Sequence, residues 1–122
     1  MCNFSERYCD PMGDRNIWAT LHARDSAQAE DARSVIVLAA RLDTTSMFDG
    51  EAPGAVSTVT GLVSALSTYQ LLTQLDVPKS TKGNVMLVLF NGEAYDYIGS
   101  SRLVYDMAKK MYGFIFTHCQ LI

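Results

Sequence analysis

The feature that most constrains the fold is the apolar run at residues 85–90, VMLVLF, together with the turn and acidic residues directly after it. An unbroken apolar run leaves no face for water, and this one is too short for a solitary buried helix. Such a segment fits a strand covered on both faces, as in a parallel sheet flanked by helices. Asn91-Gly92 then ends the run with a turn pair, and Glu93, Asp96 and Tyr97 come just past the strand's carboxyl end. In open α/β sheets ligands bind at that rim. Residues 84–102 are therefore the first place to expect a site.

The rest of the chain can be ordered around that strand. Residues 34–42, SVIVLAARL, read as a second strand rich in β-branched residues, with Asp43 immediately past its end. Between the two strands, residues 54–75 carry Val56, Val59, Leu62, Val63, Leu66 and Tyr69 at three- and four-residue spacing, which predicts a helix with one apolar stripe. Ser and Thr at 57, 58, 60, 64, 67 and 68 lower its intrinsic propensity, so tertiary packing must support it. Strand, helix, strand forms a βαβ unit with a right-handed crossover. Residues 98–111 continue as a second helix with Ile98, Leu103, Val104 and Met107 inward, its start capped by Asp96 or Ser100.

Upstream, residues 1–16 are polar and irregular, 17–21 form a short strand or one helical turn, and 22–34 form a loop. After Lys110 the helical pattern breaks, and the apolar stretch 113–122 ends abruptly, with nothing after it expected to complete a strand pairing. Two strands and two helices do not close a domain. The expected organisation is thus an irregular segment 1–33, a βαβα core of an incomplete α/β domain at 34–111, and an atypical tail at 112–122.

At 48% hydrophobic and 19% charged, the chain can fill a core. Its formal charge of -3 is spread without a basic stripe, which argues against a nucleic-acid partner. The opening MCNFSERYCD lacks the apolar centre and basic lead of a signal peptide. No run reaches the roughly eighteen apolar residues expected of a membrane span. Cys2, Cys9 and Cys119 include no Cys-x-x-Cys pair, which fits neither a zinc cage nor a closed disulfide set. Cys2 and Cys9 could bridge in an oxidising compartment, or one could have lost a partner upstream. Asn3-Phe4-Ser5 is a glycosylation sequon.

Asp43 and Glu93 are the chemically suggestive pair. Adjacent strands lie about 5 Å apart, and about 10 Å with one strand between. Carboxylates at that spacing could flank a metal, an amine or a water. The simpler reading, which pattern alone favours, is that each caps a helix or satisfies loop amides. His22 and His118 lie away from the strand ends and read as bystanders, so no zinc set converges. No nucleophile elbow, Walker loop or dinucleotide fingerprint occurs, and Ser100-Ser101 falls inside a predicted helix. Tyr95 and Tyr97 flank Asp96, either as a recognition surface for an amine or peptide end, or as packing of the loop onto the sheet.

Residues 93–106, EAYDYIGSSRLVYD, resemble the nicastrin family, the large glycoprotein subunit of the γ-secretase complex. Asp96, Tyr97, Ile98, Gly99 and Ser100 match that family's hallmark segment. The likeness runs upstream through Asn84-Val85-Met86, Ala52-Pro53-Gly54-Ala55 and Ala39-Ala40-Arg41-Leu42-Asp43, and on to Cys9-Asp10-Pro11 and the Trp18 region. It covers most of 9–109, and the tail beyond about residue 110 departs from it. The resemblance implies a piece of an aminopeptidase-like domain, with a mostly parallel central sheet flanked by helices. Presenilin and the other γ-secretase subunits are then the implied partners, with Notch- and amyloid-precursor-type proteins as substrates. In the full-length family the domain lies on the luminal or extracellular side of a single-pass membrane protein. A cysteine at the position of Cys9 pairs there with one further upstream.

The same resemblance implies that the domain is not an enzyme. Zinc aminopeptidases carry His-x-Asp where this chain has Arg41-Leu42-Asp43, a metal-bridging Asp where it has Val56 and Ser57, and Glu-Glu where it has Glu93-Ala94. Arg offers zinc no usable lone pair, so neither a metal nor another cofactor is expected. Glu93 and Tyr97 would bind a substrate's amino terminus, or the domain would act as a steric gate. The rival expectations are an active zinc aminopeptidase and a truncated fragment without independent function.

Overall fold

A computed structural model describes residues 13, 15–23, 34–47, 51, 54–75, 83–109 and 119–121. Four strands form one sheet: β1 (Ile17–Thr20), β2 (Ser34–Arg41), β3 (Gly83–Phe90) and β4 (Cys119–Leu121), in the spatial order β1-β3-β2-β4. Helix α1 (Thr60–Gln74) connects β2 to β3, and α2 (Ile98–Ala108) follows β3.

The apolar run is the centre of the sheet, and its composition follows from its position. From Met86 to Phe90 every residue of β3 is buried. On one face Met86, Val88 and Phe90 join Val35 and Val37 of β2 and Leu103 of α2, with Met107 packed alongside. On the other, Leu87 and Leu89 meet Ala65 of α1, with Leu38, Ala40, Leu42, Leu62 and Tyr69 around them. A strand buried on both faces cannot alternate apolar with polar residues. Each large side chain buried this way contributes about 1.5–3 kcal/mol.

The register of β2 on β3 is parallel and runs from Ser34↔Gly83 to Arg41↔Phe90. The two strands therefore end level, which fixes where the following loops emerge. β1 pairs antiparallel with β3, from Ile17↔Leu89 to Thr20↔Met86, so the sheet is mixed where a mostly parallel one was expected. An edge position readily accepts an antiparallel strand on an otherwise parallel sheet. The tail also corrects its reading, because Cys119–Leu121 pairs in parallel with Val35–Val37 and forms the opposite edge.

The crossover helix lies where periodicity placed it, but it presents a different face. Buried Thr58 and Ala65, with half-buried Leu62 and Tyr69, form the row against the sheet. Val59, Val63 and Leu66 sit in the next row and are exposed, and Val56 is 83% exposed. The apolar set is two rows wide, and the sheet takes only one. The phase is also altered at Ala55–Val59, a widened π-type turn in which the amides of Thr58 and Val59 both donate to the carbonyl of Gly54. By length and composition Ala55–Gln74 is apolar enough to cross a membrane. A search for unbroken apolar runs misses this because Ser and Thr interrupt the segment. In this fold one row of it covers the sheet.

Candidate functional site

The level ends of β2 and β3 bring Asp43 beside the loop at 91–97. The Leu42 amide donates to the Phe90 carbonyl at 2.7 Å, carrying the pairing of the two chains past the strand ends. One step further, Asp43 Oδ1 accepts from the Glu93 amide at 3.0 Å and Oδ2 from the Ala94 amide at 2.9 Å. Both carboxylate oxygens are thus engaged by consecutive backbone N–H groups. The Asp43 carbonyl accepts from the Thr58 hydroxyl at 3.1 Å, tying the same residue to the start of the crossover helix.

Glu93 is also engaged. Its Oε2 accepts from the Ser100 amide at 3.0 Å, in the first turn of α2. Amides there have no intrahelical partner, and the helix dipole favours a negative charge near them. The cap of α2 therefore comes from Glu93 rather than from Asp96 or Ser100. The Ser100 hydroxyl donates instead to the Tyr97 carbonyl at 3.4 Å.

Between these anchors the backbone takes an uncommon path. Gly92, Asp96 and Tyr97 have φ of 74°, 62° and 59°, all left-handed. Asp tolerates that region better than most residues, whereas a bulky tyrosine is a true outlier there. Such residues cost of order 1–3 kcal/mol and persist only where the surroundings over-determine them. Here the Gly92 carbonyl accepts from the amides of Tyr95 and Ile98, and the Glu93 carbonyl accepts from the Tyr97 amide, each at 3.3 Å. The loop leaves Tyr95, Tyr97 and Ile98 exposed, with Tyr97 the most open of the three at 65%. Gly99 is buried, and a Cβ there would lie 2.5 Å from the Asn91 carbonyl oxygen.

Of the residues singled out in the sequence, Asp43, Glu93 and Ala94 are brought together, and Tyr97 and Ser100 join them through the loop. Arg41 ends β2 level with Phe90 and is half-buried. Val56 and Ser57 are exposed, and it is the next residue, Thr58, that reaches Asp43. His22 sits at the far end of the sheet, where its amide donates to Asn84 Oδ1 at 3.2 Å and its carbonyl accepts from Asn84 Nδ2 at 3.0 Å. Among the described residues no three His, Cys, Asp or Glu side chains group as metal ligands would. Cys2, Asn3, Cys9 and His118 lie outside the described residues.

Three residues that sequence reasoning passed over matter here. Thr58 supports Asp43, Asn84 joins the start of β3 to the chain leaving β1, and Asn16 bonds to both Asn91 and Gly99. A solitary Asn in a polar segment reads as a turn former. Nothing local reveals a partner many residues away.

The fold and site together define a three-layer α/β unit whose rim carboxylates clamp one strained, tyrosine-bearing loop. The model of the nicastrin large lobe matches residues 34–118. Mouse nicastrin is 44% identical over 103 residues, which is 84% of this chain and 14% of that protein. Human nicastrin is 42% identical over 107 residues, 85% of this chain and 15% of that protein. Nicastrin of Arabidopsis thaliana is 28% identical over 102 residues, again 84% of this chain and 15% of that protein. The chain belongs to the nicastrin family, and it spans about one-seventh of the length of the curated relatives it matches.

Proposed function

We propose that this chain is a non-catalytic segment of a nicastrin-like subunit, and that its loop at 92–97 helps a γ-secretase-type intramembrane protease recognise the free amino terminus of protein substrates. Presenilin and the other subunits of that complex are the partners in this reading, and Notch- and amyloid-precursor-type proteins are the substrates. The domain acts on the luminal or extracellular side. The observation that carries the proposal is the pairing of an anchored carboxylate with an exposed ring. Glu93 is fixed through one oxygen by the Ser100 amide, while Tyr97 projects from a left-handed backbone whose amide bonds to the Glu93 carbonyl. A substrate ammonium placed between them gains a charge-assisted hydrogen bond and the face of an aromatic ring.

The reading assigns no catalysis, although it takes the unit as part of an aminopeptidase-like domain. The residues at the corresponding positions do not suit zinc. Arg41 offers no lone pair, and Val56 and Ala94 carry no donor side chain. Without a metal to polarise water, Glu93 has no activated nucleophile to serve as base.

The test is binding of a peptide with a free amino terminus, against its acetylated form, to the full chain and to Glu93→Gln. The variant keeps an oxygen for the Ser100 amide and removes the charge. We expect roughly tenfold weaker binding of the free-amine peptide, about 1.4 kcal/mol, and no change for the acetylated one. An equal effect on both peptides would overturn the role of Glu93.

A further inference from the structure

The loop at 92–98 is held from a third direction, by a residue outside β2, β3 and α2. Asn16 Oδ1 accepts from the Asn91 amide at 3.0 Å, and Asn16 Nδ2 donates to the Gly99 carbonyl at 2.8 Å. One side-chain amide thus joins the last residue before the loop to the first turn of the helix after it. A side-chain amide carries a donor and an acceptor at one planar end, which suits both bonds, whereas Asp lacks the donor and Ala lacks both. The contact is close: a Cβ on Gly99 would lie 2.9 Å from Asn16 Oδ1 as well as 2.5 Å from the Asn91 oxygen. The place of Asn16 is set by β1, since Ile17 pairs with Leu89 and puts Asn16 level with the end of β3.

We propose that Asn16 is a positioning residue for substrate recognition: by closing Asn91 against Gly99 it fixes the spacing and orientation of Glu93 and Tyr97. The assignment rests on the recognition role proposed above for those two residues. Asn16 touches neither side chain in the described hydrogen bonds and acts through the loop's backbone. All three left-handed positions, Gly92, Asp96 and Tyr97, lie between its two attachment points. Asp43 grips the loop at Glu93 and Ala94, and Glu93 grips Ser100. The Ile98 amide also bonds to the Gly92 carbonyl within the loop, and Asn16 adds a constraint from outside it, holding Asn91 and Gly99, the residues that flank the loop, through one side chain. The edge strand therefore does more than widen the sheet, because it delivers the staple that keeps the loop closed.

The experiment compares the full chain with Asn16→Ala and Asn16→Asp by amide hydrogen exchange and by binding of the free-amine and acetylated peptides. For Asn16→Ala we expect exchange at Asn91, Glu93, Ala94 and Ser100 to rise at least tenfold while Val88, in mid-sheet, is unchanged. Binding of the free-amine peptide should fall at least fivefold, with the acetylated peptide unaffected. Asn16→Asp keeps an acceptor for Asn91 but turns an oxygen toward the Gly99 carbonyl. It should restore protection at Asn91 and leave Ser100 and peptide binding impaired, a split that a general loss of stability would not produce. If Asn16→Ala does not fold, this split in Asn16→Asp decides alone. Unchanged exchange in the loop, or an equal rise at Val88, would overturn the positioning role. If the unmodified chain fails to prefer the free amine, the recognition reading fails separately. A loop loosened without loss of free-amine preference would also overturn the proposal.

Discussion

Replacing Gly99 by Ala tests the packing on which the loop depends, with Gly61 as its control. Both residues lie in helices, where Gly→Ala ordinarily stabilises by about 0.5–1 kcal/mol because the unfolded chain loses freedom. A Cβ at Gly61 has nothing within 4 Å, so Gly61→Ala should show that gain. At Gly99 the same atom would stand 2.5 Å from the Asn91 carbonyl oxygen, 2.9 Å from Asn16 Oδ1 and 3.2 Å from the Asn91 nitrogen. Two of those three neighbours are backbone at the end of β3 and cannot swing aside. The first turn of α2 must move instead. Overpacking of this kind costs about 1–3 kcal/mol, and displacement strains the Asn16–Gly99 and Glu93–Ser100 bonds, each worth about 1 kcal/mol. Against the helical gain, the net expectation is a loss of about 2–3 kcal/mol. For a chain of this size that lowers Tm by roughly 10 °C, at about 4 °C per kcal/mol. Urea unfolding of both variants, followed by circular dichroism, should separate them by about 3 kcal/mol. A Gly99→Ala protein within about 0.5 kcal/mol of Gly61→Ala would refute the close approach of α2 to Asn91.

Asp43→Asn should destabilise by about 1–3 kcal/mol in the same assay, because one of two accepting oxygens becomes an NH2 group facing the amide of Glu93 or Ala94. Stability equal to or above the parent would remove Asp43 as the loop clamp. Tyr97→Gly should raise stability by about 1 kcal/mol, since glycine adopts the left-handed conformation at no steric cost and the exposed ring has little packing to lose. The same variant should abolish preferential binding of the free-amine peptide. A clear fall in stability would instead show that the ring packs the loop onto the domain.

How far the fold could be read from the sequence depended on the range of the interactions. Residues 85–90 were legible because burial on both faces leaves a chemical signature along the strand, and residues 34–42 because of their β-branched apolar content, although Ile36 and Ala39 are exposed; β2 and β3 lie at those places. The strand at Ile17–Thr20 is short, and its outer residues Ile17 and Trp18 are exposed, so local pattern left strand and helical turn open. Along α1 the period was clear but the face was not. Choosing between adjacent apolar rows requires knowing which one meets Leu87 and Leu89, and that is tertiary information. The short strand Cys119–Leu121 gave no signal, since among the described residues it pairs with β2, far away in sequence. At the rim the positions of Asp43 and Glu93 were readable from strand ends, and the simpler of their two readings describes their bonds: loop amides for one, a helix start for the other. Asn16 and Thr58 were not readable, because each acts on a residue that only the folded chain brings near.

The segment most recognisable in the sequence is also the one with the heaviest backbone demands. Asp96 and Tyr97 turn the chain through two successive left-handed residues, Gly99 admits the Asn91 carbonyl where any side chain would collide, and Ser100 offers its amide to Glu93. Each position is explained by geometry before any ligand is considered. The residues that look catalytic, Asp43 and Glu93, are what holds that geometry in place. Each oxygen of the Asp43 carboxylate accepts a backbone N–H, and removing those bonds would release the loop that Tyr97 stands on. At this rim, acidic residues at strand ends serve the shape of the loop that carries Tyr97.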